Sequence, residues 1–290
     1  MSNILRLLLF SLFSLCMSSM YSQSPAAYKI YSGNGKETDW DELVKKASKS
    51  DVFFFGELHN NAVAHWLQLV LAKELYNKSE HRIALGFEMF ESDNQRSIDE
   101  YFADIISQKN FEAEVRLWPN YKTDYKPIVE WAKTNKLRVL ATNIPRRYAN
   151  LVYRNGLEGL NMLSDEAKKE IAPLPIAFDI NLPGYNAMVD NSTPGHANEN
   201  LPKAQAIKDA TMAYFISKNL IPKGIFLHLN GAYHSNNKEG ILWYLARLNP
   251  GIQQFTITTV SQDNISELEE EYLNQADFII VVPSDFTNTH

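Results

Sequence analysis

The chain has 290 residues, of which 45% are hydrophobic, and a formal net charge of −6 at neutral pH. This length and apolar content suffice for a sizeable packed core without disulfides or structural metals. Nucleic acids and anionic membranes bind clustered Lys and Arg. The acidic balance therefore indicates neither partner, and we expect the chain to bind no nucleic acid.

The amino-terminal segment has the layout of a secretory signal peptide. A single early cation, Arg6, precedes an apolar run from Leu7 to Met17, and small polar residues follow. The run is too short to span a bilayer comfortably. We expect residues 1–22 to be removed by cleavage near Ser22 and the protein to be exported to the periplasm or the outer membrane. A retained anchor is the alternative.

Cys16 is the only cysteine and lies within that segment. A lipid-modified cysteine normally follows a small residue, whereas Leu15 precedes Cys16, so a lipid anchor is poorly supported. Cleavage would leave no cysteine in the folded part. Disulfides, thiolate metal ligands and a cysteine nucleophile would then be excluded together.

Apolar strands and amphipathic helices alternate along the rest of the chain. The first strand, VFFFGE at 52–57, is a continuous apolar run, which is typical of a strand covered on both faces. Further strands are predicted at 82–90, 137–145, 223–231, 253–260 and 277–283, and helices at 61–77 and 204–219 among others. This alternation predicts the α/β class, with a mostly parallel central sheet and helices on both faces.

One segment interrupts this alternation. From Pro173 to Pro202 the chain has five prolines and no sustained period. So long an irregular stretch in a compact domain is usually a functional insertion or loop. We therefore predict a single domain over residues 23–290 that carries an irregular or helical insertion at about 157–202.

Polar side chains follow four of the predicted strands. Ligands of a parallel sheet bind beyond the carboxyl ends of its strands, where loops and helix N-termini converge. The residues that stand at this edge are Glu57 and His59, then Glu88, then Asn143 and Arg146, and finally Asn230, Tyr233 and His234. Their convergence favours a shared functional site.

Two of these strand ends share the pattern Gly-x-x-His, namely GELH, which ends at His59, and GAYH, which ends at His234. The glycine permits a sharp exit from the strand or a close backbone approach. With Glu57 and Glu88, the two histidines predict either a metal site, with His59, Glu88 and His234 as ligands, or an acid–base site. Each residue alone also has a structural interpretation, such as a carboxylate that caps a helix.

The remaining histidines are weaker candidates. His65 lies on the helix after the first strand, where a solvated or core-edge role is favoured. His228 lies inside an apolar strand and is predicted to be buried, with a supporting role left open. The sequence has no Walker loop, Gly-x-Gly-x-x-Gly, Gly-x-Ser-x-Gly or His-Glu-x-x-His motif. This removes the commonest nucleotide-binding, serine-hydrolase and zincin interpretations.

Five segments resemble one known family in their order and spacing: FFGELHNNAVAHWLQL, LGFEMFESDNQRSIDEY, LATNIPRRY, AQAIKDATMAYFI and LHLNGAYHS. The family is that of the ChaN-like, haem-binding uptake proteins. It shares a superfamily with the Tiki and TraB/PrgY proteins and, more distantly, with the erythromycin esterases. The resemblance covers roughly residues 45–285.

The resemblance implies an exported or lipid-anchored protein that is linked to iron uptake and binds haem in a pocket between two subunits. Haem is therefore the expected cofactor, and a homodimer and the envelope uptake machinery are the expected partners. Positions that match the metal-dependent peptide hydrolases of the Tiki branch are Gly56, His59, Glu88, Gly231 and His234. Positions that look like the signature of the ChaN branch are Glu57, Asn143 and Arg146.

Tyr and His side chains both ligate haem iron, and the proline-rich segment supplies one of each. We predict Tyr185 and His196 as candidate axial ligands, and Asn143, Arg146 and Tyr233 as further haem contacts. The expected function is haem binding in the cell envelope for haem or iron uptake.

A metal-dependent hydrolase of a peptide or ester is the alternative function. Glu57 or Glu88 would act as the base for a water molecule, with His59 and His234 as ligands of a divalent metal or as proton carriers. Spacing alone favours this enzyme, because nothing in it indicates a porphyrin. A binding module whose site has lost its activity is a third interpretation.

Overall fold

A computed structural model describes residues 26–189 and 199–290 of the chain. The predicted signal peptide at 1–22, Cys16 and the candidate ligand His196 lie outside these residues. Within them, the helices are all too short or too polar to cross a membrane. Export and the domain limits stay predictions.

The described residues contain one sheet of eight strands in the order β2-β1-β8-β7-β3-β6-β4-β5. The strands are β1 Lys29–Ser32, β2 Glu37–Thr38, β3 Val52–Glu57, β4 Ile83–Glu91, β5 Arg138–Asn143, β6 Ile225–Gly231, β7 Gln254–Gln262 and β8 Phe278–Pro283. All neighbours from β8 to β5 are parallel, whereas β1 is antiparallel to both β8 and β2. The prediction of a mostly parallel sheet is confirmed.

Helices connect most of the strands. They are α1 Trp40–Ala47, α2 Ala62–Lys78, α3 Gln95–Phe102, α4 Gln108–Glu114, α5 Lys126–Thr134, α6 Arg146–Asn155, α7 Asp165–Lys168, α8 Pro183–Asn186, α9 Asn200–Lys218 and α10 Ile241–Leu248. A π-helical turn, Tyr121–Tyr125, leads into α5, and a 3-10 turn, Ala232–His234, follows β6. The prediction placed the start of α9 at residue 204. The helix begins earlier because Pro202 falls in its first turn, where a missing N–H costs nothing.

Side chains of the central strands alternate between two cores. Phe53 and Phe55 belong to the core shared with α1, α2 and α5. Val52 and Phe54 belong to the core shared with α6, α9 and α10. Successive side chains of a strand point to opposite faces of the sheet. Helices therefore cover both faces, and the apolar run of β3 is buried along its whole length.

The predicted insertion at 157–202 is described only in part. Its described residues form a 3-10 helix, Leu157–Met162, and the short helices α7 and α8, with irregular backbone between them. Tyr244, on α10, donates a hydrogen bond from its hydroxyl to the carbonyl of Ala177 at 2.6 Å. This bond attaches the irregular stretch to the core that contains α9 and α10.

The strand order brings distant segments of the chain to one edge. Strand β6 lies between β3 and β4, and Gly231, its last residue, pairs in register with Glu57 of β3. The pairing of β4 with β5 shifts between Phe87 and Glu91, and Glu88 lies in this irregular stretch. Such bulges commonly redirect a side chain beside a functional site.

Candidate functional site

The two glycines of the Gly-x-x-His motifs lie where neighbouring groups approach the backbone closely. A Cβ at Gly231 would lie 2.6 Å from Cε1 and 2.7 Å from Nε2 of His59. A Cβ at Gly56 would lie 2.9 Å from Cα of Ala232 and 3.0 Å from the carbonyl oxygen of Ile257. Gly231 therefore lets the His59 ring pack closely against the backbone at the end of β6, and Gly56 lets two backbone segments pack together.

At the end of β3, a buried carboxylate holds a half-exposed imidazole. Glu57 is 3% exposed, whereas the His59 side chain is 49% exposed. His59 Nδ1 lies 3.0 Å from Glu57 Oε1, and the Tyr125 hydroxyl donates to the same oxygen. The Gln68 side-chain amide donates to the other oxygen. The His59 ring packs edge-on against Trp118, with 4.7 Å between the centroids.

Electrostatics fix the protonation of this pair. Burial alone would raise the pKa of Glu57, but His65, His59 and Tyr125 together lower it below 4.5, so Glu57 is ionised. Burial would likewise lower the pKa of His59, but the hydrogen bond to Glu57 and the charge of Glu88 raise it above 6.5. An ionised Glu57 requires a proton on His59 Nδ1, so neutral His59 keeps the lone pair of Nε2.

The loop that carries His59 is fixed through its backbone. Its carbonyl lies 3.0 Å from His65 Nε2 and accepts from the Asn120 side-chain amide at 2.5 Å. Asp124 Oδ2 accepts from Asn120 at 2.7 Å and from the Thr289 hydroxyl at 2.5 Å. His65, predicted at the core edge or in solvent, is 4% exposed and supports this loop.

The end of β6 differs, because its histidine is buried between two carboxylates. Glu88, Asp209 and His234 are 6%, 1% and 5% exposed. His234 Nε2 lies 3.2 Å from Glu88 Oε1, and His234 Nδ1 lies 2.5 Å from Asp209 Oδ1. The backbone N–H of Gly231 donates to Glu88 Oε2 at 2.7 Å.

This buried group carries a positive charge on its histidine. Burial lowers the pKa of His234, but Glu88 and Asp209 outweigh that effect and raise it to about 10. Burial raises the pKa of Glu88, but the charge of His234 outweighs it, and the net shift is downward. For Asp209, burial prevails over His234, and the pKa is raised. At neutral pH, His234 is an imidazolium that donates from both nitrogens.

The two predicted tyrosines have different environments. Tyr185 is 3% exposed, and its hydroxyl donates to Asp209 Oδ2 at 2.8 Å. Tyr233 is 48% exposed, and its hydroxyl donates to the carbonyl of Gly184. Tyr185 thus belongs to the buried network around His234, whereas Tyr233 presents its ring at the surface.

Asn143 and Arg146 lie beside an ion-pair cluster at the end of β5. Glu91 accepts from the Arg146 side chain, from the Arg146 backbone N–H at 3.1 Å and from Arg116 Nε at 2.8 Å. Asn143 Oδ1 is buried and has no hydrogen-bond partner among the described residues. Arg146 therefore anchors the start of α6 to β4, and a contact of either residue with haem stays a prediction.

The predicted divalent metal finds no support in the part of the chain that the structure describes. No group of three or more His, Cys, Asp or Glu side chains there is arranged to hold a metal ion. The donor atoms explain this result, because both nitrogens of His234 point at carboxylates. One nitrogen of His59 is also committed to Glu57.

Sequence reasoning missed the residues that support the two histidines from other elements. Asp209 lies within α9, where a carboxylate among apolar residues was the available signal. Gln68 and Tyr125 lie on segments with no distinguishing pattern. His228, predicted to be buried, is 0% exposed and lies 2.8 Å from the Thr142 hydroxyl and 2.9 Å from Asn230 Oδ1.

Comparison with known proteins assigns the family. The family model described as haem-binding uptake, Tiki superfamily, ChaN, matches residues 43–245. The chain belongs to this ChaN family. The resemblance indicated by the five sequence segments is therefore confirmed.

A solved ChaN structure shares the fold of this chain. A structure that reports cofacial heme binding to ChaN of Campylobacter jejuni has a TM-score of 0.67 and 17% identity, and the match covers 88% of this chain and 96% of that one. The type III effector HopBA1 has a TM-score of 0.47 and 13% identity, with 85% and 93% of the two chains covered.

One curated plant protein is related in sequence to this ChaN-family chain. Protein RETICULATA-RELATED 5, chloroplastic, of Arabidopsis thaliana is 20% identical over 234 residues. The match covers 75% of this chain but only 31% of the plant protein. The chain thus spans less than a third of that relative's length.

Proposed function

We propose that this ChaN-family chain binds haem through His59 and serves haem or iron uptake in the cell envelope. Family membership supports haem as the ligand, and the similar solved ChaN is described with cofacial heme. The observation that carries the choice of residue is the half-exposed imidazole of His59, held through Nδ1 by the buried carboxylate of Glu57.

The chemistry of His59 fits an axial ligand. A histidine that binds a metal through one nitrogen usually donates the other N–H to a carboxylate or carbonyl, which fixes the ring and raises its basicity. Haem, when bound, supplies an iron that accepts such a nitrogen. The missing Cβ of Gly231 lets the ring pack closely against the end of β6, and the His59 side chain stays 49% exposed to a ligand. The residues at the end of β3 therefore fit the group.

A surface for the porphyrin lies next to His59. Trp118 touches the His59 ring and also lines a groove of about 660 Å³, whose other walls include Leu117, Pro119, Tyr121, Lys109 and Lys122. His59 is not in this lining, and the one carboxylate there, Glu112, is paired with Lys126 at 2.8 Å. That volume falls in the range of about 300–1,000 Å³ found for small-molecule sites. The apolar and aromatic walls suit the macrocycle, and the two lysines suit the propionates.

The geometry favours His59 over Tyr185 as the iron ligand. The hydroxyl of Tyr185 is buried and already bonded to Asp209, and burial together with Asp209 raises its pKa, which disfavours a phenolate. His196 stays a prediction, because it lies outside the described residues. Tyr233, whose ring is exposed, remains a predicted second contact with haem.

The proposed uptake role also includes a second copy of the chain, as a partner subunit, and a location in the cell envelope. The half-exposed face of His59 leaves room for a haem shared with a partner subunit. Fractionation of cells and amino-terminal sequencing of the mature protein test the location. A chain that starts at about residue 23 in the envelope fraction is expected. A cytoplasmic chain that starts at Met1 would contradict export.

A hemin titration tests the proposed ligand. Wild-type protein should give a saturable shift of the Soret band, and His59→Ala should weaken binding by about 10- to 100-fold because the iron loses its ligand. His81→Ala is the matched control, since His81 is exposed and stacks on Tyr76. An unchanged affinity of His59→Ala would exclude this ligand, and a flat wild-type titration would exclude haem binding.

A further inference from the structure

A second groove runs beside β5, the outer strand of the sheet. Its volume is about 710 Å³, and residues of α3, β5 and the end of α9 form its walls. The apolar side chains that line it include Ile98, Phe102, Leu137, Val139 and Phe215. Its lining contains none of the residues around His59 or His234.

Three cations stand around this groove: Lys136, Arg138 and Lys218. All three are exposed, and none is in an ion pair within the described residues. Arg138 donates only to the side-chain oxygen of Asn219, and the Lys218 ammonium lies 5.3 Å from the centroid of the Tyr214 ring. In a chain with a net charge of −6, such a concentration of unneutralised cations favours an anionic ligand.

The acidic residue in the lining does not neutralise these cations. Asp99 accepts a hydrogen bond from the Gln95 side-chain amide at 2.9 Å. The same amide lies along the outer edge of β5, donating to the carbonyl of Val139 at 3.0 Å. Gln95 Oε1 accepts from the backbone N–H of Ala141 at 2.7 Å. Gln95 thus takes the place of a neighbouring strand in the middle of β5.

This contact decides against a peptide as the occupant. A peptide that adds a strand binds through the free backbone groups of a sheet edge. Here the outward groups of Val139 and Ala141 are already bonded to Gln95, and a peptide would have to displace it. A ligand that uses the apolar walls and the cations leaves Gln95 in place.

The lining also lacks an iron ligand. It contains no His, Tyr, Cys or Met, which are the usual protein donors to haem iron. We infer that this groove binds a metal-free amphipathic carboxylate of the fatty-acid class. The hydrocarbon chain lies against Ile98, Phe102 and Phe215, and the carboxylate lies among Lys136, Arg138 and Lys218. This site is independent of His59 and of haem.

Calorimetric titration with decanoate tests the inference. We expect saturable binding of one decanoate per chain to the wild type. Changing Lys136, Arg138 and Lys218 together to Gln should weaken it by about tenfold or more, since charge-assisted bonds to the carboxylate are lost. The matched control changes Lys49, Lys73 and Lys78 to Gln, which are exposed and outside the groove, and should bind decanoate like the wild type.

Two further measurements complete the test. Decyltrimethylammonium, a cation of the same chain length, should not compete with decanoate, and hemin affinity should be the same in the groove variant and the wild type. Equal decanoate affinity in both triple variants would overturn the site. Equal binding of the cationic amphiphile, or displacement of decanoate by an acidic peptide that pairs with β5, would overturn the ligand class.

Discussion

The two Gly-x-x-His strand ends share a sequence pattern but not an environment. At the end of β3, His59 is half-exposed and has one buried carboxylate, Glu57, on its inner nitrogen. At the end of β6, His234 is buried and has a carboxylate on each nitrogen, Glu88 and Asp209. The first arrangement leaves a lone pair for a ligand, and the second fixes a charge inside the protein.

The difference comes from neighbouring elements rather than from the motifs. Helix α9 passes over the end of β6 and brings Asp209 to His234. The end of β3 faces the turn before α5 instead, where Trp118 and Tyr125 touch the pair without covering His59. A short motif therefore predicts where a histidine stands. Its role depends on which side chains the rest of the fold adds.

The largest expected effect is a difference in the free energy of unfolding between variants of the two histidines. His234→Ala leaves Glu88 and Asp209 buried without their cation, which should lower the free energy of unfolding by about 3–5 kcal/mol. His59→Ala removes a half-exposed partner and should cost less than about 1 kcal/mol. Urea denaturation of both variants measures the difference. Equal losses would remove the distinction between a structural and a ligand histidine.

The pH dependence of stability should sharpen the same contrast. The pKa of His234 is raised from 6.5 to about 10. The stabilisation from its charge is therefore complete below pH 6.5 and is lost as the pH rises through about 10. The free energies of unfolding of the wild type and His234→Ala, measured in urea, should differ most below pH 6.5 and least near pH 10. A difference that stays constant over this range would mean that His234 is neutral when folded.

The two motif glycines should respond differently to the same substitution. Gly56→Ala places a methyl group against the backbone of Ala232 and Ile257, and such overpacking should cost about 1–3 kcal/mol of stability. Gly231→Ala meets the His59 ring, which can move into solvent, so the unfolding midpoint should change less while hemin binding falls. Thermal melts and hemin titrations of both variants test this, and a reversed order would contradict it.

The smallest effect concerns the support of Glu57. Tyr125→Phe removes one hydrogen-bond donor to the buried carboxylate of Glu57, which still has His59 and Gln68 as partners. The free energy of unfolding should therefore fall by about 1 kcal/mol. Urea unfolding measures it, with Tyr153→Phe as a control, because Tyr153 is 43% exposed. If both variants lose the same stability, the hydroxyl of Tyr125 contributes nothing specific to the pair.

The fold and the strand ends were predictable because their signals are local. Continuous apolar runs such as VFFFGE indicate strands buried on both faces, and the residue after each run indicates its edge. Glu57, His59, Glu88 and His234 were found in this way. The pairing of Glu57 with His59 needs no long-range information, since the two lie two positions apart in the sequence.

The remaining partners could not be predicted because their signals are not local. Asp209 reaches His234 only after α9 packs against the sheet, and Tyr125 reaches Glu57 across 68 positions in sequence. The prediction of Tyr185 as an axial haem ligand depends on its position in an irregular segment. Its burial against Asp209 is a consequence of tertiary packing, which composition does not encode.

The loop at His59 also carries a consequence for the order of folding. The backbone N–H of Thr289 donates to the carbonyl of Asn60 at 2.9 Å, and Asn120 holds the neighbouring carbonyl of His59. Contacts between such distant positions close long chain loops and form slowly. We therefore expect the end of β3 to reach its final shape only after Asn120 and Thr289, which are 61 and 229 positions away from the residues they hold, have joined it.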